Sequence, residues 1–291
     1  MSDSSLNHQL NSESTGKWTQ THRVALVVQY VGTNLHGWQR QPKHRSVQGD
    51  LEAAIAEVLG RPVTIYGAGR TDSGVHAAAQ VAHFVAPSVI PAHRWRDILN
   101  SRLSKDILVR ATAAVPDSWH AQFSARWRRY RYTLYTDPLP NLFLRPYVWH
   151  YYYDPINVQA MQAALDPMVG HHDFAAFHRA RSGRSHSYVE IQAAECRRRG
   201  SIVTVEIQSS GFLYGMVRLI MGLLVEVGRK QMSPDTFDHI WRNQQRSRVK
   251  YSAPAQGLCL LRVGYDHFPF EPEVWVDAQP HFALKSVPAA V

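Results

Sequence analysis

Strand and helix patterns follow one another in a related order twice along the chain, and this recurrence restricts the fold more than any single motif does. In the first half, Val24, Leu26, Val28 and Tyr30 alternate within Arg23 to Tyr30, the period of a strand. Ser46 then caps a helix whose apolar residues Val47, Leu51, Ala54, Ile55, Val58 and Leu59 recur at helical spacing until Gly60 ends it. Strands over Pro62 to Tyr66 and Ala79 to Ala86, a helix around His93 to Leu103 and a strand from Ile107 to Val115 complete a β-α-β-β-α-β order, the ferredoxin-like unit. The second half repeats the theme with additions. A strand at Trp127 to Thr136 leads to a helix with Val158, Met161, Leu165 and Met168 on its apolar side. Ile191 to Arg198 and Ile202 to Gln208 form a hairpin through Gly200. A buried helix from Phe212, a helix capped by Ser233 with Pro234 at its first position, and a strand at Leu258 to Val263 follow.

The expected architecture is therefore α+β, with two ferredoxin-like (RRM-like) α/β units whose mainly antiparallel sheets flank a central cleft. A length of 291 residues suits two domains. The expected divisions are a disordered tail over 1–21, an N-terminal domain over 22–117, a C-terminal domain over 118–266 and an extension over 267–291.

Charge narrows the partners. The formal net charge is +9, and Arg dominates in runs such as Arg126, Arg128, Arg129 and Arg131 and Arg197 to Arg199. Such a balance fits a polyanion, nucleic acid first, or a merely solvated basic face. The two cysteines, Cys196 and Cys259, match no metal spacing or disulfide framework, which suits a reducing cytoplasm. The N-terminus has no signal or transit character. Phe212 to Val227 carries Arg218 and Glu226 and is too short to cross a bilayer, so no membrane partner is expected.

The chemistry concentrates in Gly67-Ala68-Gly69-Arg70-Thr71-Asp72-Ser73-Gly74-Val75-His76-Ala77. A dinucleotide fingerprint would need its third glycine where Asp72 stands, and Gln80 to Val85 reads as a strand instead of the required helix. In an extended segment Arg70 and Asp72 share a face, and a neighbouring guanidinium favours the ionised carboxylate. Two readings follow: a structural salt bridge in a glycine-rich turn, or a nucleophile or base kept ionised. His171-His172-Asp173 is a weak metal pattern, since adjacent histidines point apart, and Ser73 with His76 lacks a third triad member. Both sets are assigned to structure or RNA contact.

Gly69 to Ala77 resembles the central signature of the TruA family of tRNA pseudouridine synthases. Four more blocks resemble the family in order: Tyr30 to Gln41 with Ser46 to Gly49; Phe123-Ser124-Ala125 with Arg129 to Tyr132; Gly211 to Tyr214 with Met216-Val217-Arg218, Gly222 and Val227-Gly228-Arg229; and Ala253-Pro254-Ala255 with Gly257 to Leu260. Gln122, Ser104, Gly215 and Leu219 stand where the family commonly has Arg, Pro, His and Asn, and none touches the Asp72 motif.

The resemblance implies isomerisation of uridine to pseudouridine at positions 38, 39 and 40 of the tRNA anticodon arm. It implies no metal and no small-molecule cofactor, and homodimers as the working form. Asp72 is implied as the catalytic carboxylate. Arg70 is implied to help hold a flipped nucleotide and orient Asp72, and Tyr130 to stack on the base and assist proton removal from carbon 5. Leu258 or Leu260 would supply an apolar wall, and Gln39, Arg40 and Arg218 substrate contacts. Phosphate contacts are expected from the Arg-rich strand and from the Arg179, Arg181 and Arg184 segment. The rivals are a non-catalytic RNA-binding protein built from RRM-like units and, further off, a nucleotide-dependent oxidoreductase.

Overall fold

The computed structural model describes residues 20–178, 186–271 and 273–274. Of the expected tail over 1–21, residues 1–19 lie outside them, as does the Arg179, Arg181 and Arg184 segment; Thr21 is not tail but the first residue of a strand, paired with Pro87.

The N-terminal strands are β1 (Thr21–Tyr30), β2 (Tyr66–Gly67), β3 (His76–Pro87) and β4 (Ile107–Val115), with helices α1 (Val47–Leu59) and α2 (Trp95–Asn100). Then come β5 (Ala125–Tyr135), β6 (Trp149–His150), α3 (Val158–Leu165), β7 (Gly170–Asp173), β8 (Tyr188–Arg199), β9 (Ile202–Ser209), α4 (Met216–Gly228), α5 (Pro234–Arg242) and β10 (Leu258–Tyr265). The strands of both halves join in one 10-stranded sheet, ordered β4-β1-β3-β10-β5-β9-β8-β7, with β2 added to β3 and β6 to β5. Pairing is antiparallel except between β3 and β10 and between β5 and β6.

Local chemistry explains where the elements stop. Ser46 Oγ accepts from the Gly49 N–H at the start of α1, and Gly60 adopts φ +66° at its end. The strand expected over Pro62 to Tyr66 shrinks to Tyr66–Gly67, because side chains of α1 satisfy the backbone before it: Glu52 accepts from the Ile65 N–H at 3.1 Å and Gln48 donates to the Ile65 carbonyl at 3.2 Å. The helix expected around His93 to Leu103 is a single turn of 3₁₀ helix followed by α2. The helix expected from Phe212 begins at Met216, after Gly215 takes φ +72°.

Helices α1 to α5 pack on one face of the sheet. There α1, α2, α4 and α5 bury Leu51, Ile55, Trp95, Ile220, Leu224, Phe237 and Trp241 against Val24, Leu26, Phe84, Tyr132 and Leu260. The other face holds a smaller cluster of Val27, Ala78, Ala79 and Leu261, against which Phe268, Phe270 and Val274 of the C-terminal extension pack.

The junction of the two halves positions the site. β10 pairs with β3 only at Cys259 opposite His76 and Leu260 opposite Ala77. Farther along β3, at Ala82 and His83, the partner is β2 instead. The sheet thus splits, and residues 68–75 fill the split.

Candidate active site

Backbone contacts from the Tyr30 to Gln41 block shape the loop in the split. The Trp38 N–H donates to the Thr71 carbonyl at 3.1 Å, and the Gly74 N–H donates to the Leu35 carbonyl at 3.1 Å. Gly37 has φ +81°, and a Cβ there would run into the Thr71 carbonyl oxygen. The Tyr30 hydroxyl and Thr71 Oγ1 share a hydrogen bond at 2.8 Å in the core, and Gln80 Nε2 donates to the Gly69 carbonyl at 2.8 Å. Gly69 and Thr71 before Asp72 and Gly74 after it are therefore held, which restricts the direction of the acid itself.

Asp72 accepts from Arg218 Nη1 at 3.1 Å, and the two side chains are 15 % and 14 % exposed. The expectation that Arg70 neutralises Asp72 is corrected here. Arg70 is exposed and forms no ion pair or hydrogen bond among the described residues, whereas Arg218 comes from the first turn of α4. Alternation along an extended segment brings residues i and i+2 to one face, but the loop turns through Ser73 and Gly74 and is not a strand. Arg218 is fixed in turn: its Nε donates to the Ala253 carbonyl at 2.8 Å, and the Ala253 N–H donates to the Arg218 carbonyl at 3.0 Å.

Tyr130 lies on β5 opposite Leu260, in register with Ala77 across β10. Its ring meets Phe212 edge to face at 4.9 Å. Burial, then the nearby Asp72 charge, raises the Tyr130 phenol well above its ordinary range, so it stays protonated at neutral pH. Leu258 sits opposite Tyr132, and Leu260 is fully buried beneath the row. Tyr132 donates to the Pro254 carbonyl at 2.7 Å, tying this wall to the segment that holds Arg218.

Gln39 and Arg40 are exposed and stand apart from the ion pair; Arg40 Nη1 reaches Glu52 of α1 at 3.1 Å. The arginines of the Arg-rich strand, from which phosphate contacts are expected, have partners within the chain. Arg126 pairs with Asp266 at 2.6 Å, and Arg129 and Arg131 both pair with Glu206. Arg128 donates to the carbonyls of Ala68, Gln122 and Ser210, at 2.8, 2.8 and 2.9 Å. The sequence reading missed Arg128 as a tie between the Asp72 loop and β5, since its run of arginines looks uniform on paper. A cavity of about 330 Å³ lined by Arg129, Arg131, Glu195, Glu206 and Arg262 lies on the opposite face of β5 from Tyr130.

The remaining clusters are structural. His76 Nδ1 accepts from the Gly32 N–H at 3.0 Å while its Nε2 meets the Pro146 carbonyl at 3.0 Å; Ser73 does not contact it and leans toward the Leu35 carbonyl. His171 stacks on Tyr188, and Asp173 accepts from the Ala175 N–H. Among the described residues no three His, Cys, Asp or Glu side chains gather into a metal-holding group, and no helix is long and apolar enough to cross a membrane.

The family model for tRNA pseudouridine synthase matches residues 26–124 and 164–266. A Rippkaea orientalis protein named tRNA pseudouridine synthase A is 61 % identical over 274 residues, covering 93 % of this chain and 94 % of that protein. Proteins of the same name from Nostoc and Synechocystis are 62 % and 59 % identical, covering 90 % and 93 % of this chain and 93 % and 97 % of their own lengths. The matched segments contain Asp72 and Arg218, one in each, so the similarity spans both sides of the ion pair. This chain belongs to the tRNA pseudouridine synthase family.

Proposed function

We propose that the chain isomerises uridine to pseudouridine within tRNA, with Asp72 as the carboxylate that meets the reacting nucleoside. In this reaction the bond from N1 of uracil to C1′ of ribose breaks, the base turns, a bond from C5 to C1′ forms, a proton leaves C5, and N1 takes up a proton. Atoms and electrons balance within the nucleoside, so the protein must supply only placement and charge. The family's name gives the reaction class, and the Asp72–Arg218 pair in the split is the observation that supports the residue assignment.

An ionised carboxylate serves each of three routes: addition to C1′, addition to C6, or removal of a sugar proton to give a glycal. Arg218 places a positive charge against the carboxylate and holds its direction. Tyr130 offers ring surface and a hydrogen-bond donor; a phenol held protonated is a poor base, so removal of the C5 proton falls to Asp72 or to water. Leu260, opposite Tyr130, and Leu258, opposite Tyr132, supply apolar side chains beside that ring. The uridine must leave its stack at a cost of a few kcal/mol. Exposed Arg70 is the residue of the loop free to meet phosphate or fill the vacated space.

The substrate is assigned to the anticodon arm, positions 38, 39 and 40, the working form to a homodimer, and the compartment to the cytoplasm. Two α/β domains, over 22–117 and 118–266, carry the acid and its partner.

Asp72→Asn keeps the shape and removes the charge. Tritium release from tRNA labelled at C5 of uracil should vanish while tRNA still binds; retained turnover overturns the assignment. Mapping pseudouridine in tRNA from a strain lacking this gene tests the positions: loss outside 38, 39 and 40 rejects the anticodon-arm assignment. Sedimentation of the purified protein as a monomer rejects the homodimer.

A further inference from the structure

The rim of the same split carries an arrangement that the chemistry above does not use. Phe123 is 78 % exposed and Tyr66 is 50 % exposed, and one imidazole lies between them. Phe123 stacks on His120 with ring centroids 4.3 Å apart and planes at 30°. His120 is 5.5 Å from Tyr66, and Tyr66 stacks on buried His83 at 5.2 Å with planes at 21°. His83 meets His120 edge to face at 4.5 Å, which closes the group.

These rings are fixed. The Gln122 and Phe123 N–H groups donate to His120 Nδ1 at 3.1 and 3.4 Å, and the His120 N–H donates to Ser124 Oγ at 3.0 Å. An exposed apolar ring on a loop bonded this way loses little further freedom when something lies on it. Burial, then the charge of Arg23, lowers the His120 imidazole from its ordinary value, so the ring behind Phe123 is uncharged at neutral pH.

The group is also continuous with the catalytic loop. Arg128 Nη2 donates both to the Gln122 carbonyl, next to Phe123, and to the Ala68 carbonyl, each at 2.8 Å. Tyr66 begins the stretch that passes through Ala68 and exposed Arg70 to Asp72.

We propose that Phe123 and Tyr66, backed by His120 and His83, form a stacking platform for an unpaired base adjacent to the target uridine. The proposal rests on the tRNA reading above and deepens it. Extruding the uridine removes one stacking partner from its neighbour. A fixed aromatic surface at the rim replaces that partner, and because every base has a π-face it does so without regard to the neighbour's identity. Arg70, on the loop between the platform and the acid, adds the positive charge that commonly accompanies such surfaces.

The test uses the full chain and an anticodon stem-loop RNA carrying 5-iodocytidine at single positions beside the target uridine. Photocrosslinking should join one of these to Phe123 or Tyr66. Phe123→Ala and Phe123→Leu should each weaken binding of the unmodified stem-loop roughly ten-fold, and Phe123→Trp should remain within about two-fold of native. Thermal melting checks folding, and Tyr66→Leu gives the same readout if Phe123→Ala melts early. Native-like binding and turnover by Phe123→Ala, Phe123→Leu and Tyr66→Leu overturns the platform while leaving the isomerase intact. A native protein that releases no tritium from tRNA overturns the functional reading beneath it.

Discussion

Arg218 and Asp72 lie 146 residues apart in sequence and meet through a 3.1 Å ion pair whose cation is also bonded to the Ala253 carbonyl. Each of these groups has its own backbone support, so the acid's orientation is a property of the assembled sheet. Charge and geometry coincide here: the guanidinium that faces the carboxylate also determines where it points.

Replacing Arg218 separates these roles. Arg218→Ala leaves a mostly buried carboxylate without a partner and should cost about 2 to 3 kcal/mol of stability. Arg218→Lys restores charge but offers one ammonium where two directed N–H groups are needed. It should recover most of the melting temperature yet stay roughly 100-fold down in single-turnover rate. Native turnover in Arg218→Lys would show that direction does not matter.

Gly37→Ala tests the backbone support of the loop. A Cβ at φ +81° is strained and meets the Thr71 carbonyl, so the loop must shift. Stability should fall by more than about 1 kcal/mol and the rate of the chemical step should fall with it, although Gly37 touches no substrate. A rate unchanged in single-turnover assays would mean that the loop adjusts freely.

Arg128 and Arg70 should differ in salt dependence. Arg128→Met removes donors to four carbonyls and should lower turnover while leaving the salt slope of tRNA binding intact. Arg70→Ala should reduce that slope by about 1, the signature of a lost phosphate contact. Filter binding across a salt series with the opposite result would exchange the two roles.

His83 sets an acid limit on stability. Its Nδ1 accepts from the Ala121 N–H at 3.2 Å, which requires the neutral ring, and burial, then the charges of His120 and Arg23, pushes it down from 6.5 to about 3. The folded value is the lower one, so between these limits the unfolded chain binds more protons and stability rises with pH. The His83 contribution should be complete above pH 6.5 and decline as pH falls toward 3. Melting temperatures of His83→Gln should fall less steeply over that window than those of the native protein; identical slopes would remove His83 from the account.

Much of the fold is legible in the sequence because its signals are local. Ser46 and Gly60 bracket α1, Ser233 and Pro234 open α5, and Ile107–Val115 is a strand with the expected bounds. The errors lie where distant side chains replace local bonding, as Glu52 and Gln48 do around Ile65. The same holds for the site. Asp72 stands out through its glycine frame, but neither the pairing with Arg218 nor the use of Arg128 on carbonyls has any spacing along the chain to reveal it. Gly37 and Gly74 both have positive φ: Gly37 lies against the Thr71 carbonyl of the loop, and Gly74, within the loop, faces Ala255. This accounts physically for sequence blocks so far from Asp72 accompanying its motif.

Between β3 and β10 only two residue pairs bridge the sheet, and the acid and its counter-charge approach that seam from opposite sides. Neither flank holds both members of the ion pair. Pieces separated by cutting the backbone between β4 and β5 would be inert alone, and activity would return only with reassociation, at a rate set by how fast the seam closes. Catalytic competence can thus serve as a gauge of whether the whole molecule has finished folding.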